Sequence, residues 1–203
     1  MAKIRLLEQH VSELIAAGEV IERPASIVKE LLENAVDAAA SVIELEIRNG
    51  GKTLIRVTDN GSGIEPEDVP KAFLRHATSK IQQQQDLDQI GTLGFRGEAL
   101  ASICAVSRVE LLTRVPGMEF GTRYVVEDGQ EICLEECGCR EGTTLLVEHL
   151  FEHVPARLKF LKKDTTEGNL IQATIERIAL SHPEISFRMI RNGKRQFRDD
   201  DIA

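Results

Sequence analysis

Ile27, Val28, Leu31, Leu32, Ala35 and Val36 recur at the spacing that gathers apolar side chains on one side of a helix. Pro24 suits the first turn of such a helix, where a missing N–H costs nothing, so the pattern predicts a helix from about Pro24 to Ala40. Val42–Arg48 and Thr53–Thr58 then read as strands, with Asn49-Gly50-Gly51-Lys52 as the hairpin turn between them. A short helix is expected to start at Pro66, where Glu65, Glu67 and Asp68 suit the positive end of its dipole. From about Leu74 to Gly97 no period holds, and an aperiodic stretch of that length inside a compact domain is characteristic of a functional lid. Gln82–Gln85 within it reads as a polar loop.

Glu98–Val106 is again helical in pattern, and strands follow at 107–114, 119–127, 130–136 and 143–149, with Asp128-Gly129 turning one hairpin. A helix fits 166–181, and strands 185–191 and 195–198 flank the Asn192-Gly193 turn. This order is not a βαβ alternation. It predicts an α/β fold: a two-layer sandwich with a mostly antiparallel mixed sheet and helices on one face.

Composition adds limits. A chain of 203 residues suits one domain. With no tryptophan and 4% aromatics, Leu, Ile, Val and Ala must fill the interior. No apolar run approaches the roughly 20 residues that cross a bilayer, and Met1-Ala2-Lys3-Ile4-Arg5 is not followed by the apolar core of a secretory leader. The expected compartment is therefore the cytoplasm, without membrane partners. A net charge of -8 argues against a surface that coats nucleic acid wholesale. Two local basic groups, Arg157/Lys159/Lys162/Lys163 and Arg188/Arg191/Lys194/Arg195/Arg198, read as solvated faces, so DNA contact is expected to be weak or indirect. Cys133, Cys137 and Cys139 form a C-x3-C-x-C cluster, which is not a usual zinc spacing and lacks a matching histidine; with Cys104 they read as reduced thiols.

Four segments could carry chemistry. Glu30, Asn34 and Asp37 share one face of the first helix, opposed to its apolar stripe, and a carboxylate–amide face can hold a general base and a hard cation such as magnesium, although an ordinary solvated face has the same pattern. Asp59-Asn60-Gly61-Ser62-Gly63-Ile64 follows a β-branched strand; its glycines allow close backbone approach, and the strand-end aspartate could accept a hydrogen bond from an exocyclic amine such as adenine's. Gly91 to Leu100 leads glycine-rich backbone into a helix N-terminus, a phosphate site by construction. Its glycines at 91, 94 and 97 match neither a Walker A loop nor G-x-G-x-x-G. Gly142-Thr143-Thr144 opens an apolar strand, where a hydroxyl could reach a base.

Taken in order, the E-x-x-x-N helix, the D-x-G-x-G turn, the glycine-rich lid and the G-T-T strand resemble the GHKL ATPase superfamily. Within it, Ala16–Pro24, Arg75–Lys80, Gly94–Leu100, Pro155-Ala156-Arg157 and Lys159-Phe160-Leu161 resemble the signature stretches of the MutL family of mismatch repair proteins. The resemblance covers essentially the whole chain, so residues 1–203 are expected to be one ATPase domain of Bergerat fold, with the family's second domain lying beyond it. It implies ATP and Mg2+ as cofactors. Glu30 would be the general base and Asn34 the magnesium ligand. Asp59 would read the adenine amine, with Gly61, Gly63 and Thr143 around it. Thr78, Ser79 and Lys80, with Gly94, Phe95, Arg96, Gly97, Glu98, Ala99 and Leu100, would close over the phosphates.

The resemblance further implies slow ATP hydrolysis, since the family's completing lysine belongs to the following domain. It implies a homodimer on ATP binding, and the mismatch-recognition protein MutS and a downstream nuclease or helicase as partners. A nucleotide-sensing module without hydrolysis, or an ATPase of topoisomerase or histidine kinase type, is the alternative. The sequence departs from the family at Ala39, where Asp-Ala-Gly-Ala is usual; alanine resists positive φ, so the helix end is expected to differ there.

Overall fold

The computed structural model describes residues 20–75, 77 and 98–198. Helix α1 (Pro24–Asp37) starts as its proline dictates, and Ile27, Val28, Leu31, Leu32 and Ala35 are its buried stripe. It stops three residues before the expected end. Ala39 N–H bonds the Val36 carbonyl and Ala40 N–H bonds that of Ala35, the paired reversed bonds of a Schellman motif, with buried Ala40 packed beside Ala35. That motif needs a left-handed residue, and Ala39 supplies it at φ 56°. Alanine here adopts the positive φ it disfavours.

Strands β1 (Val42–Arg48) and β2 (Leu54–Asp59) form the hairpin, turned by a single 3-10 turn at Asn49–Gly51. Short α2 (Val69–Ala72) begins three residues after Pro66, and α3 is Ala99–Cys104. Strands β3 (Arg108–Arg114), β4 (Gly121–Glu127), β5 (Gln130–Cys137) and β6 (Gly142–Glu148) lie within two residues of their predicted bounds. Helix α4 (Pro155–Phe160) has no buried residue and hence no apolar period from which to read it. Helix α5 (Asp164–Ser181) and strands β7 (Ser186–Arg191) and β8 (Lys194–Arg198) complete the described chain.

One eight-stranded sheet runs β5-β4-β3-β6-β2-β1-β7-β8, antiparallel except where β1 meets β7. Its register lines up the inward residues in rows. Met189, Leu45, Val57, Leu145, Leu111 and Tyr124 form one row, and Ile47, Ile55, Val147, Val109 and Val126 the next. All of these are buried beneath the helices, and each full burial of such a side chain contributes about 1.5–3 kcal/mol.

The opposite face holds paired charges. Arg56 bonds Glu46 at 2.6 Å, Arg108 bonds Glu148 at 2.7 Å, and Arg123 bridges Glu110 and Glu135, both at 2.7 Å. Among the described residues, no helix is long and apolar enough to cross a membrane.

Candidate functional site

The third inward row changes character. Phe187 and Ile43 continue the apolar pattern, but Asp59, Thr143, Thr113 and Thr122 follow them across β2, β6, β3 and β4. One end of an otherwise largely apolar sheet face is therefore polar, and it is satisfied internally. Thr113 Oγ1 accepts the Ile64 N–H at 2.9 Å and donates to the Gly142 carbonyl at 3.1 Å. A hydroxyl has one proton, so the 3.1 Å contact between Thr113 and Thr143 hydroxyls has Thr143 as donor.

Asp59 is 9% exposed, and its Oδ1 accepts the Gly61 N–H at 2.8 Å and the Thr143 N–H at 3.3 Å. Burial outweighs those two bonds and raises its pKa above the usual carboxylate value. The turn that follows is seated by close backbone contacts. A β-carbon on Gly61 would lie 2.6 Å from the Ala38 carbonyl oxygen, and one on Gly63, at φ 68°, would lie 2.5 Å from that of Arg114. Gly142, at φ 96°, leaves no room for a β-carbon against the Asp59 backbone.

The same turn meets the end of α1. Ser62 N–H bonds the Ala38 carbonyl at 2.9 Å, and Ala38 N–H in turn bonds the Asn34 carbonyl at 3.0 Å. Asn60 ties the connection down: its Oδ1 accepts Ser41 and Val42 N–H groups, each at 2.9 Å, and its amide donates to Ser41 Oγ. The last turn of α1, with Asn34 and Asp37, therefore abuts the Asp59 turn. Glu30 stands one turn earlier, about 6 Å along the axis at 1.5 Å per residue. It is partly exposed, with Lys29 Nζ 3.7 Å away. Lys29 also bonds Glu33 at 2.9 Å; burial works against its charge, but the Glu33 bond and the charges of Glu33 and Glu30 prevail and raise its pKa.

Of the residues expected at the site, Asp59, Gly61 and Thr143 meet directly; Gly63, two residues on, seats against the Arg114 backbone, and Asn34 joins them through the end of α1. Thr78, Ser79, Lys80, Gly94, Phe95, Arg96 and Gly97 lie outside the described residues. Glu98 precedes α3, and Ala99 and Leu100, both half-buried, are in its first turn. Sequence reasoning overlooked Thr113, whose place in the inward alternation after Val109 and Leu111 was its signal, and it read Asn60 as turn chemistry only. A cavity of about 240 Å³ bounded by Ser107, Arg108, Asp128, His149 and His153 lies at the other end of these strands and carries none of the expected residues.

The basic groups are less free than expected. Arg157 donates to the Ile21 carbonyl at 2.7 Å and lies over the Phe151 ring, and Arg191 donates to Asn169 and to the Thr165 carbonyl. The four cysteines are free thiols, and the described residues hold no group of three or more metal-binding side chains.

Residues 22–129, rather more than half of the chain, match the family described as histidine kinase-, DNA gyrase B- and HSP90-like ATPase. The chain belongs to that family. Within it, the chain is homologous to DNA mismatch repair protein MutL. It is 54% identical to that of Agathobacter rectalis over 194 residues and 51% identical to that of Clostridium acetobutylicum over 193. These alignments cover 96% and 95% of this chain but 30% and 31% of the relatives, so the chain spans about a third of their length. The Aquifex aeolicus MutL ATPase domain complexed with ADP superimposes with a TM-score of 0.74 at 37% identity, over 88% of this chain and 64% of that one. The N-terminal domain of a DNA repair protein does so with a TM-score of 0.76 at 30% identity, over 91% of this chain and 54% of that one.

Proposed function

We propose that the chain is the nucleotide switch of a MutL-type mismatch repair protein, a single domain that binds ATP with Mg2+ and hydrolyses it slowly. The observation that carries this reading is the polar end of the sheet: a buried carboxylate held by Gly61 and Thr143 N–H groups, beside a glycine turn seated on α1. A buried charge is costly unless something uses it. Asp59 accepts a hydrogen bond from the adenine amine, with Gly61, Gly63 and Thr143 walling the base.

Asn34 offers an amide oxygen, a hard donor of the type magnesium takes. When bound, the ion would neutralise charge on the phosphates. Glu30, on the same helix face, orients and deprotonates the attacking water. Thr78, Ser79 and Lys80, with Gly94 to Leu100, hold the phosphates. Binding orders a dimer surface and hydrolysis releases it, a segment-ordering switch of the kind phosphate contacts drive. MutS and a downstream nuclease or helicase read that state in the cytoplasm, with DNA engaged weakly or indirectly.

Calorimetric titration with ATP, with and without magnesium, followed by sizing of the loaded protein, tests the proposal. Magnesium-dependent binding and a shift to a dimer are expected; no heat with any adenine nucleotide would end the proposal.

A further inference from the structure

Strand β5 and the loop after it bring two cysteines to one point. Cys137 is the strand partner of Gly121 in β4, and a β-carbon on Gly121 would collide with the Cys139 sulfur. Both side chains thus converge on the bare Cα of one glycine, and both are partly exposed free thiols. Being two residues apart, their Cα atoms are separated by at most about 7 Å, the upper end of what a disulfide spans. The intervening residue, Gly138, has no β-carbon and open space beside it, so its backbone is free to bend and shorten the gap. The other thiols are excluded by place: Cys104 is 2% exposed within α3, and Cys133 lies four residues up the strand, about 13 Å away.

We propose that Cys137 and Cys139 form a vicinal dithiol that closes reversibly into an intramolecular disulfide by exchange with a low-molecular-weight disulfide. One protein thiolate attacks a sulfur of the small disulfide; that S–S bond breaks, a mixed disulfide forms and one small thiolate leaves. The second protein thiolate attacks the protein sulfur of the mixed disulfide, forming the internal bond and releasing the second small thiolate. Two protein thiols are oxidised, one small disulfide is reduced to two thiols, and the two protons pass to the departing thiolates. Burial, then the charge and hydrogen bonding of neighbouring Cys139, push the Cys137 thiol up to about 11. Gly121 adjoins Thr122, so the dithiol sits one residue from the outer end of the polar row.

The test incubates the 203-residue chain with graded ratios of oxidised to reduced glutathione, then counts thiols, weighs the intact protein and maps its peptides. Loss of two of the four thiols without retained glutathione is expected, with a peptide joining positions 137 and 139 that excess reduced glutathione reopens. Cys133→Ser should close like the parent, whereas Cys137→Ser should retain a glutathione adduct on Cys139. Four titratable thiols throughout, stable adducts on the parent without closure, or a bridge to Cys133 or Cys104 would each overturn the proposal.

Discussion

The Thr143 N–H donates to the Asp59 carboxylate at 3.3 Å, so residues facing each other across β2 and β6 are joined by a side chain as well as by strand pairing. The Oδ1 that accepts this bond also accepts the Gly61 N–H. One carboxylate oxygen is thus given to the protein's own backbone, and the proposed recognition of the adenine amine would fall to the other.

An Asp59→Asn chain should separate stability from binding. Burial raises the Asp59 pKa above 3.8. A raised value means that its contribution to stability is present below the unfolded pKa and lost as pH rises through the folded one, so at neutral pH the charge opposes folding. Asparagine keeps an oxygen for both N–H groups without that charge but turns an NH2 towards the adenine amine. Thermal midpoint equal to or above the parent is expected, with ATP affinity lower by roughly tenfold to a hundredfold, the range of a hydrogen bond to a charged group. Unchanged affinity by titration would refute the role.

Glu30→Ala should keep nucleotide and lose chemistry. Loss of a positioned general base lowers turnover by about 10²–10⁴, while affinity stays within a few-fold. Phosphate release in single turnover measures this; undiminished hydrolysis assigns the base elsewhere.

Thr113→Val nearly preserves shape but strands the Ile64 N–H, the Gly142 carbonyl and the Thr143 hydroxyl. Leaving buried polar groups unpaired costs about 1–3 kcal/mol each at most. Denaturant unfolding should show a loss of at least 1 kcal/mol, roughly the lower end of that range. A midpoint equal to the parent's would show that the hydroxyl is not structural.

Ala39→Gly should stabilise the chain. Alanine at φ 56° is exposed and pays a left-handed backbone penalty of roughly 1–2 kcal/mol, partly offset by glycine's larger entropy loss on folding. A net gain of up to about 1 kcal/mol is expected in thermal unfolding, and destabilisation would contradict it.

Glu110 predicts an acid limb. Its hydrogen bond from Arg123 holds its carboxyl below the ordinary 4.5, against the opposing effect of burial. A lowered folded pKa contributes stability that is present above the unfolded value and lost as pH falls through the folded one. Glu110→Gln should therefore lower the thermal midpoint at neutral pH by a small amount, equivalent to under about 1 kcal/mol for a partly exposed pair. The two midpoints should converge below pH 4.5. A constant difference across that range would reject the assignment.

Most elements were legible because their cause is local. The period of α1, the alternation of β3 and the Asn49–Lys52 turn each depend on neighbours within a few residues. Helix α4 was not legible, since a helix that buries nothing leaves no period. The end of α1 was misplaced because Ala39 adopts φ 56° under a demand from the Schellman bonds, not from its own preference. Asp59 and Thr143 were singled out as site residues by motif; that they meet depends on strand register.

By itself the sequence determined which residues prefer helix or strand, where the glycine turns fall, and that the motif order is that of a GHKL-type ATPase. The tertiary structure decided that Asp59, Thr143, Thr113 and Thr122 occupy one row, that Gly61 seats on Ala38, and that Cys137 and Cys139 converge on Gly121. Periodicity is a property of adjacent residues and survives in the linear chain. Register and close approach join residues far apart in the chain, Asp59 and Thr143 across 84 positions, and they are selected by the packing of the whole sheet beneath its helices.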